Sequence, residues 1–172
     1  MSRLLEEPYR LFFPLGALAG IFGVGQWLLC ALGLLETCTG QGHAFVQIQA
    51  FLTAFACGFL FTMIPRRTQT RGPTHGELAL VSFLVALVTA SSLFDQWTVA
   101  EASFLAILIL LVRFVVSRIR QSEALKRSPN SFVLVPIGLI SGCVGALLVL
   151  LADFSLLDRW ATPIGRGLIQ EG

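Results

Sequence analysis

Residues 42–68 read GHAFVQIQAFLTAFACGFLFTMIPRRT, and this stretch decides the fold class of the chain. Residues 44–64 include no charged side chain, and Pro65 with two arginines follows them directly. An apolar run of about 20 residues is long enough to cross the hydrocarbon core of a bilayer as a helix. Proline helps to end such a helix because it has no backbone N–H to donate. The stretch therefore predicts a membrane-spanning helix that begins beside His43.

Four further apolar runs predict four more spans, over residues 11–35, 78–94, 99–116 and 132–151. Only 13% of all residues are charged, whereas soluble domains carry about 25%. We therefore expect an all-α, polytopic helical membrane protein with five transmembrane helices in contact with the lipid bilayer. Residues 1–172 then form a single membrane domain.

Two of the predicted helices begin at a Ser/Thr-x-x-Glu pattern. Thr74 with Glu77 precedes the third span, and Thr98 with Glu101 lies at the start of the fourth. In a capping box of this kind the two side chains bond reciprocally to free backbone N–H groups at the helix start. We expect both glutamates to serve this local role.

The positions of lysine and arginine predict the orientation in the membrane. Basic residues precede the first span, follow the second and surround the link between the fourth and fifth, whereas the loops 36–43 and 95–98 have none. Basic loops stay in the cytoplasm. The N-terminus is therefore predicted to be cytoplasmic, and His43 to lie at the outer surface. Because orientation explains the basic loops, we expect no nucleic-acid partner.

The first and fifth spans share a pattern that predicts an internal repeat. Pro14, Gly16, Gly20 and Gly23 have the same spacing as Pro136, Gly138, Gly142 and Gly145, 122 residues later. Residues 42–47 (GHAFVQ) resemble residues 165–170 (GRGLIQ) at nearly the same offset. A parallel repeat predicts the start of a sixth helix near Gly165. It also predicts that the chain is an incomplete part of a longer repeated fold.

His43 and Gln47 are the candidate site residues of the second span. With Ala50, Ala54 and Gly58 they follow a helical spacing that places them on one face. The small residues would form a groove that a second backbone or a flat ligand can approach. His43 could then supply a nitrogen to haem or copper, with Gln47 hydrogen-bonding beside it. Alternatively, His43 is an interfacial histidine and Gln47 bonds between helices.

Other reactive residues give no catalytic set. The four cysteines include no C-x-x-C pair, so we expect buried apolar thiols and one loop thiol. Cys30 and Cys38 are close enough for a disulfide, but nothing in the sequence requires one. His75, the other histidine, is expected on the opposite membrane face, as an exposed loop residue.

The stretch 42–68 resembles the characteristic helix of the NnrS family, in which a histidine opens the helix and Gly-Phe-Leu precedes a closing proline. Gly58-Phe59-Leu60 and Pro65 match these positions, and residues 8–13 (PYRLFF) resemble the start of the family's N-terminal half. The resemblance implies a bacterial inner-membrane protein, associated with haem and copper and with tolerance of nitric oxide. It also implies a protein of about twice this length.

The chain departs from the family where many members have His-Ala-His-Glu, because it has His43-Ala44-Phe45-Val46. The resemblance therefore carries over His43 alone as a metal or haem ligand, with Gln47 as its neighbour. Any further ligand would come from a missing C-terminal half or from a partner subunit. Two alternatives are a non-catalytic structural or assembly subunit and, ranked last, a small-solute carrier.

Overall fold

The computed structural model describes residues 2–35, 38–121, 134–158 and 160–171. These residues form helices and connecting segments and contain no strand. The elements are α1 (Ser2–Glu6), α2 (Tyr9–Ala31), α3 (Gly40–Ala44), a π-helix (Phe45–Leu52), α4 (Thr53–Thr68), α5 (His75–Leu93), α6 (Trp97–Gln121), α7 (Leu134–Asp153) and α8 (Ala161–Glu171).

Within the described residues, five helices are long and apolar enough to cross a membrane, which confirms the predicted fold class. The α3 helix, the π-helix and α4 form one continuous span, Gly40–Thr68, called the second span below. The first span ends at Ala31, before the predicted residue 35, because Gly33 turns the chain with a φ of 70°. The predicted start of the fifth span, residues 132 and 133, lies outside the described residues.

One of the two predicted capping boxes is present. Thr74 and Glu77 bond reciprocally at the start of α5, with Thr74 N–H donating to the Glu77 carboxylate over 2.7 Å. The second prediction is wrong. The α6 helix already begins at Trp97, so Thr98 lies inside it, and the buried Glu101 side chain bonds to another helix instead.

Glycines bring α2 close to the second span. A Cβ atom on Gly16 would lie 2.8 Å from the Phe55 ring, and one on Gly20 would lie 2.8 Å from Phe51. Helices in a membrane associate through such close packing, because lipid offers no hydrophobic driving force between them. The α2 helix thus covers one side of the second span, while its opposite side leaves Ile21, Phe22 and other large apolar residues exposed.

The α8 helix runs antiparallel to α7, as expected for the start of a sixth helix. A Cβ on Gly145 would lie 2.6 Å from the Gly165 carbonyl oxygen and 3.0 Å from Ile169 Cγ1. In the first copy of the repeat pattern, a Cβ on Gly23 would lie 2.9 Å from Val46 Cγ1. Equivalent glycines therefore contact equivalent β-branched residues, and this agreement supports the proposal that the two helix pairs are repeats.

A disulfide bond joins Cys30 at the end of α2 to Cys38 in the following loop. The interpretation of both as free thiols is therefore wrong. The turn at Gly33 brings their Cα atoms to 6.2 Å, within the range that a disulfide spans. Cys57 and Cys143 are free, and Cys57 is buried as expected.

Candidate functional site

His43 lies in the first turns of the second span, where its position is fixed by a cap. The hydroxyl of Thr39 accepts a hydrogen bond from the Gly42 N–H over 3.0 Å, which satisfies one free donor at the helix start. The π-helix follows immediately, and such segments frequently occur at functional sites. His43 is half-buried, with the Trp27 ring centroid 6.0 Å from that of its imidazole.

The His43 imidazole is anchored to α2 by one of its nitrogens. Nδ1 lies 2.8 Å from the Gly23 carbonyl oxygen. A carbonyl oxygen only accepts, so Nδ1 must carry the proton, and in the neutral ring Nε2 then carries the lone pair. Within the described part of the chain, Nε2 has no hydrogen-bond partner. Metal-ligating histidines characteristically donate their other N–H to a carbonyl or carboxylate in this way.

Gln47 bonds to the same helix one turn away. Its Nε2 donates to the Gly20 carbonyl oxygen over 3.1 Å, so Gln47 contacts the α2 backbone. The predicted groove is filled, because Ala54 and Phe55 pack against Gly16 and Gly58 packs against Phe12 and Phe13. The sequence analysis expected either a second backbone or a flat ligand in this groove. The α2 backbone is the one observed, and the groove itself leaves no room for a flat ligand. The structure thus brings His43 and Gln47 together at one interface.

A buried polar pair on the other side of the second span was missed by the sequence analysis. Gln49 Nε2 donates to Glu101 Oε2 over 2.8 Å, and the two residues are 4% and 0% exposed. Positions two apart on a helix point in nearly opposite directions. Gln47 therefore reaches α2 while Gln49 reaches α6. The available sequence signal was a glutamate one turn inside an apolar helix, where acidic residues are rare.

A cavity of about 290 Å³ lies beside this polar pair. It is bounded by the start of the second span, by α6 and by α8. Its walls consist of Gly40, Gln41, Ala44, Phe45, Ile48, Gln49, Glu101, Arg166, Ile169 and Gln170. His43 is not among them, so the cavity and the histidine are separate features of the same end of the bundle.

The described residues contain no group of three or more His, Cys, Asp or Glu side chains that could hold a metal ion. His75 opens α5, after the full length of the second span. With a rise of about 1.5 Å per residue, that span separates the two histidines by about 40 Å. His75 is exposed, as predicted, and cannot join His43 at one metal.

Comparison with protein families decides the classification. The family model described as NnrS protein matches residues 3–169. The chain belongs to the NnrS family. No curated protein and no solved structure matches it.

NnrS membership directs attention to the residues that follow His43. Phe45 and Val46 occupy the positions at which we expected many NnrS members to have His and Glu. Both are buried here, and the Phe45 ring centroid lies 5.4 Å from that of Trp97. Packing, rather than ligation, is therefore what these two positions provide in this NnrS protein.

Proposed function

We propose that this chain is a haem-binding membrane protein of the NnrS family that contributes to tolerance of nitric oxide. His43 would hold the haem iron through Nε2, and Gln47 holds the helix that carries His43. The observation that carries the proposal is the anchored imidazole, with Nδ1 bonded to the Gly23 carbonyl oxygen and Nε2 left without a partner among the described residues.

Haem needs fewer protein ligands here than a copper ion does, and it would lie against the Nε2 side of His43, outside the groove that α2 fills. A haem iron needs only one protein nitrogen and can keep a coordination position open for a small gas ligand. Copper sites combine several imidazole or thiolate ligands, and the described residues offer no such group around His43. Copper would therefore need ligands from another chain or segment, whereas one histidine is sufficient to hold haem.

The proposed orientation places this site on the outer side of the bacterial inner membrane, with a cytoplasmic N-terminus. The disulfide between Cys30 and Cys38 supports that orientation, because it lies at the same end of the bundle as His43. Disulfides persist in the periplasm and are rare in the cytosol. The distribution of basic residues and the disulfide are therefore two independent observations that support the proposed orientation.

The biological part of the proposal is tested by survival. Cells that lack the protein would be complemented with wild type, with His43→Ala or with His75→Ala, and exposed to a nitric oxide donor. We expect wild type and His75→Ala to restore growth, and His43→Ala to behave as the empty vector at equal membrane abundance. Full protection by His43→Ala would contradict the proposal.

A further inference from the structure

Gln49 and Glu101, the polar residues beside the cavity, each have one side-chain oxygen without a hydrogen bond in the described part of the chain. Gln49 Oε1 and Glu101 Oε1 are both buried, and neither has a hydrogen-bond partner within the described residues. The bond between the two side chains uses the amide N–H, since a carboxylate can only accept. When an ammonium partner holds Glu101 in its ionised form, both remaining atoms are acceptors. A buried acceptor without a donor costs about 1–3 kcal/mol.

The walls of the cavity suit an organic ligand better than a metal ion. Metal ions require four to eight close ligands, whereas this site presents two unpartnered side-chain oxygens. Its volume of about 290 Å³ equals that of several waters, at about 30 Å³ each. The walls are largely aliphatic and aromatic, through Ala44, Phe45, Ile48 and Ile169.

We propose that this cavity binds a small organic molecule through a protonated amine. Because both oxygens are buried in the structure, binding turns the Glu101 and Gln49 side chains toward the cavity. The ammonium then donates to Glu101 Oε1 and Gln49 Oε1, and the apolar body of the molecule lies against Phe45 and Ile48. Charge-assisted hydrogen bonds of this kind are about twice as strong as neutral ones. The cavity does not include the two residues of the haem proposal, because His43 and Gln47 bond to α2 on the opposite side of the span.

Arg166 determines which amines the cavity accepts. It is exposed and lines the same cavity as the buried carboxyl group of Glu101. A guanidinium at this position can receive a carboxylate. Amines with a carboxylate, as in amino acids, and amines without one therefore share the contact with Glu101 and differ only at Arg166.

Three probes with a common branched apolar body separate these chemistries: isopentylamine, L-leucine and 4-methylpentanoate. Calorimetric titration of the detergent-purified protein measures binding of each. We expect the two amines to bind and the acid alone not to bind. Glu101→Gln should weaken amine binding by about tenfold or more, the loss expected for a hydrogen bond to a charged group. Tighter binding of leucine, lost in Arg166→Ala, would identify an amino acid as the ligand class.

A cavity-filling variant provides a second test of the site in case Glu101→Gln does not fold. Ala44→Leu occupies the cavity without altering its polar atoms and should abolish amine binding. Ala102→Leu, at an exposed position next to Glu101, is the matched control and should bind like wild type. Absence of saturable binding by either amine, or equal binding by the acid, would overturn the proposal. Binding that persists in both Glu101→Gln and Ala44→Leu would overturn it as well.

Discussion

Gln49 Nε2 and Glu101 Oε2 are joined by a 2.8 Å hydrogen bond across the interface between the second span and α6. Both side chains are buried at positions surrounded by apolar helix. The bond ties the π-helical segment to α6, while His43 and Gln47 tie the neighbouring turns to α2. The start of the second span is therefore held from two sides.

The bond between Gln49 and Glu101 should be detectable as a coupling energy. Gln49→Leu and Glu101→Leu should each destabilise the protein, because each leaves a buried partner unsatisfied. The double variant should be more stable than the sum of the two effects predicts. Interhelical hydrogen bonds in membranes contribute about 0.6 kcal/mol on average and about 1.7 kcal/mol at most. Unfolding in mixed micelles measures the cycle, and strictly additive losses would disprove the coupling.

Gly23→Ala should loosen the contact between α2 and the second span. The new Cβ would lie 2.6 Å from Gln47 Nε2 and 2.9 Å from Val46 Cγ1, so these side chains must move. Gly25→Ala is the control, since its Cβ meets nothing within 4 Å. Alanine is the better helix former by about 1 kcal/mol. Thermal unfolding should therefore show a lower midpoint for Gly23→Ala and an equal or higher one for Gly25→Ala; the reverse order would contradict the packing described.

Gly145→Ala should separate α8 from α7. Its Cβ would approach the Gly165 carbonyl oxygen to 2.6 Å, and a backbone atom cannot move aside as a flexible side chain can. Gly167→Ala, which meets nothing within 4 Å, is the matched substitution within α8. Limited proteolysis of the C-terminal residues should become faster in Gly145→Ala only. Equal cleavage rates in the two variants would show that α8 does not depend on this contact.

Chemical labelling of cysteines tests the orientation of the bundle in the membrane. In Cys30→Ser, the released Cys38 thiol should react with a membrane-impermeant maleimide added outside spheroplasts. His75→Cys should react only after the membrane is opened. Wild type should gain label at Cys30 and Cys38 only after reduction, because the disulfide blocks both. Labelling of His75→Cys from outside would contradict the proposed orientation.

The spans could be predicted from the sequence because hydropathy and helix length are local properties. Over the described residues, all five predicted spans lie within observed helices or extend past them by a few residues. The capping box at Thr74 was equally local and was correct. The same local pattern at Thr98 gave a wrong prediction, because the Glu101 side chain bonds to Gln49, 52 residues away in the sequence. A pairing over that separation depends on tertiary packing, which a single sequence pattern does not contain.

His43 was identified from its position at the start of a helix, and the structure adds what position alone could not. The contact with Gly23 spans 20 residues and results from the glycine-lined approach of α2. The π-helix over Phe45–Leu52 was not predicted from any residue pattern. The cavity was likewise missed, because α8 closes it from the far end of the chain.

The central claim, that His43 holds haem, is tested most directly by visible absorption spectra of protein purified from haem-replete cells. We expect a Soret band in wild type and in His75→Ala, and its loss in His43→Ala. Imidazole added to His43→Ala together with haem should restore the band, because the free ring can replace the missing side chain. A colourless wild-type protein, or a His43→Ala spectrum identical to that of wild type, would contradict the claim.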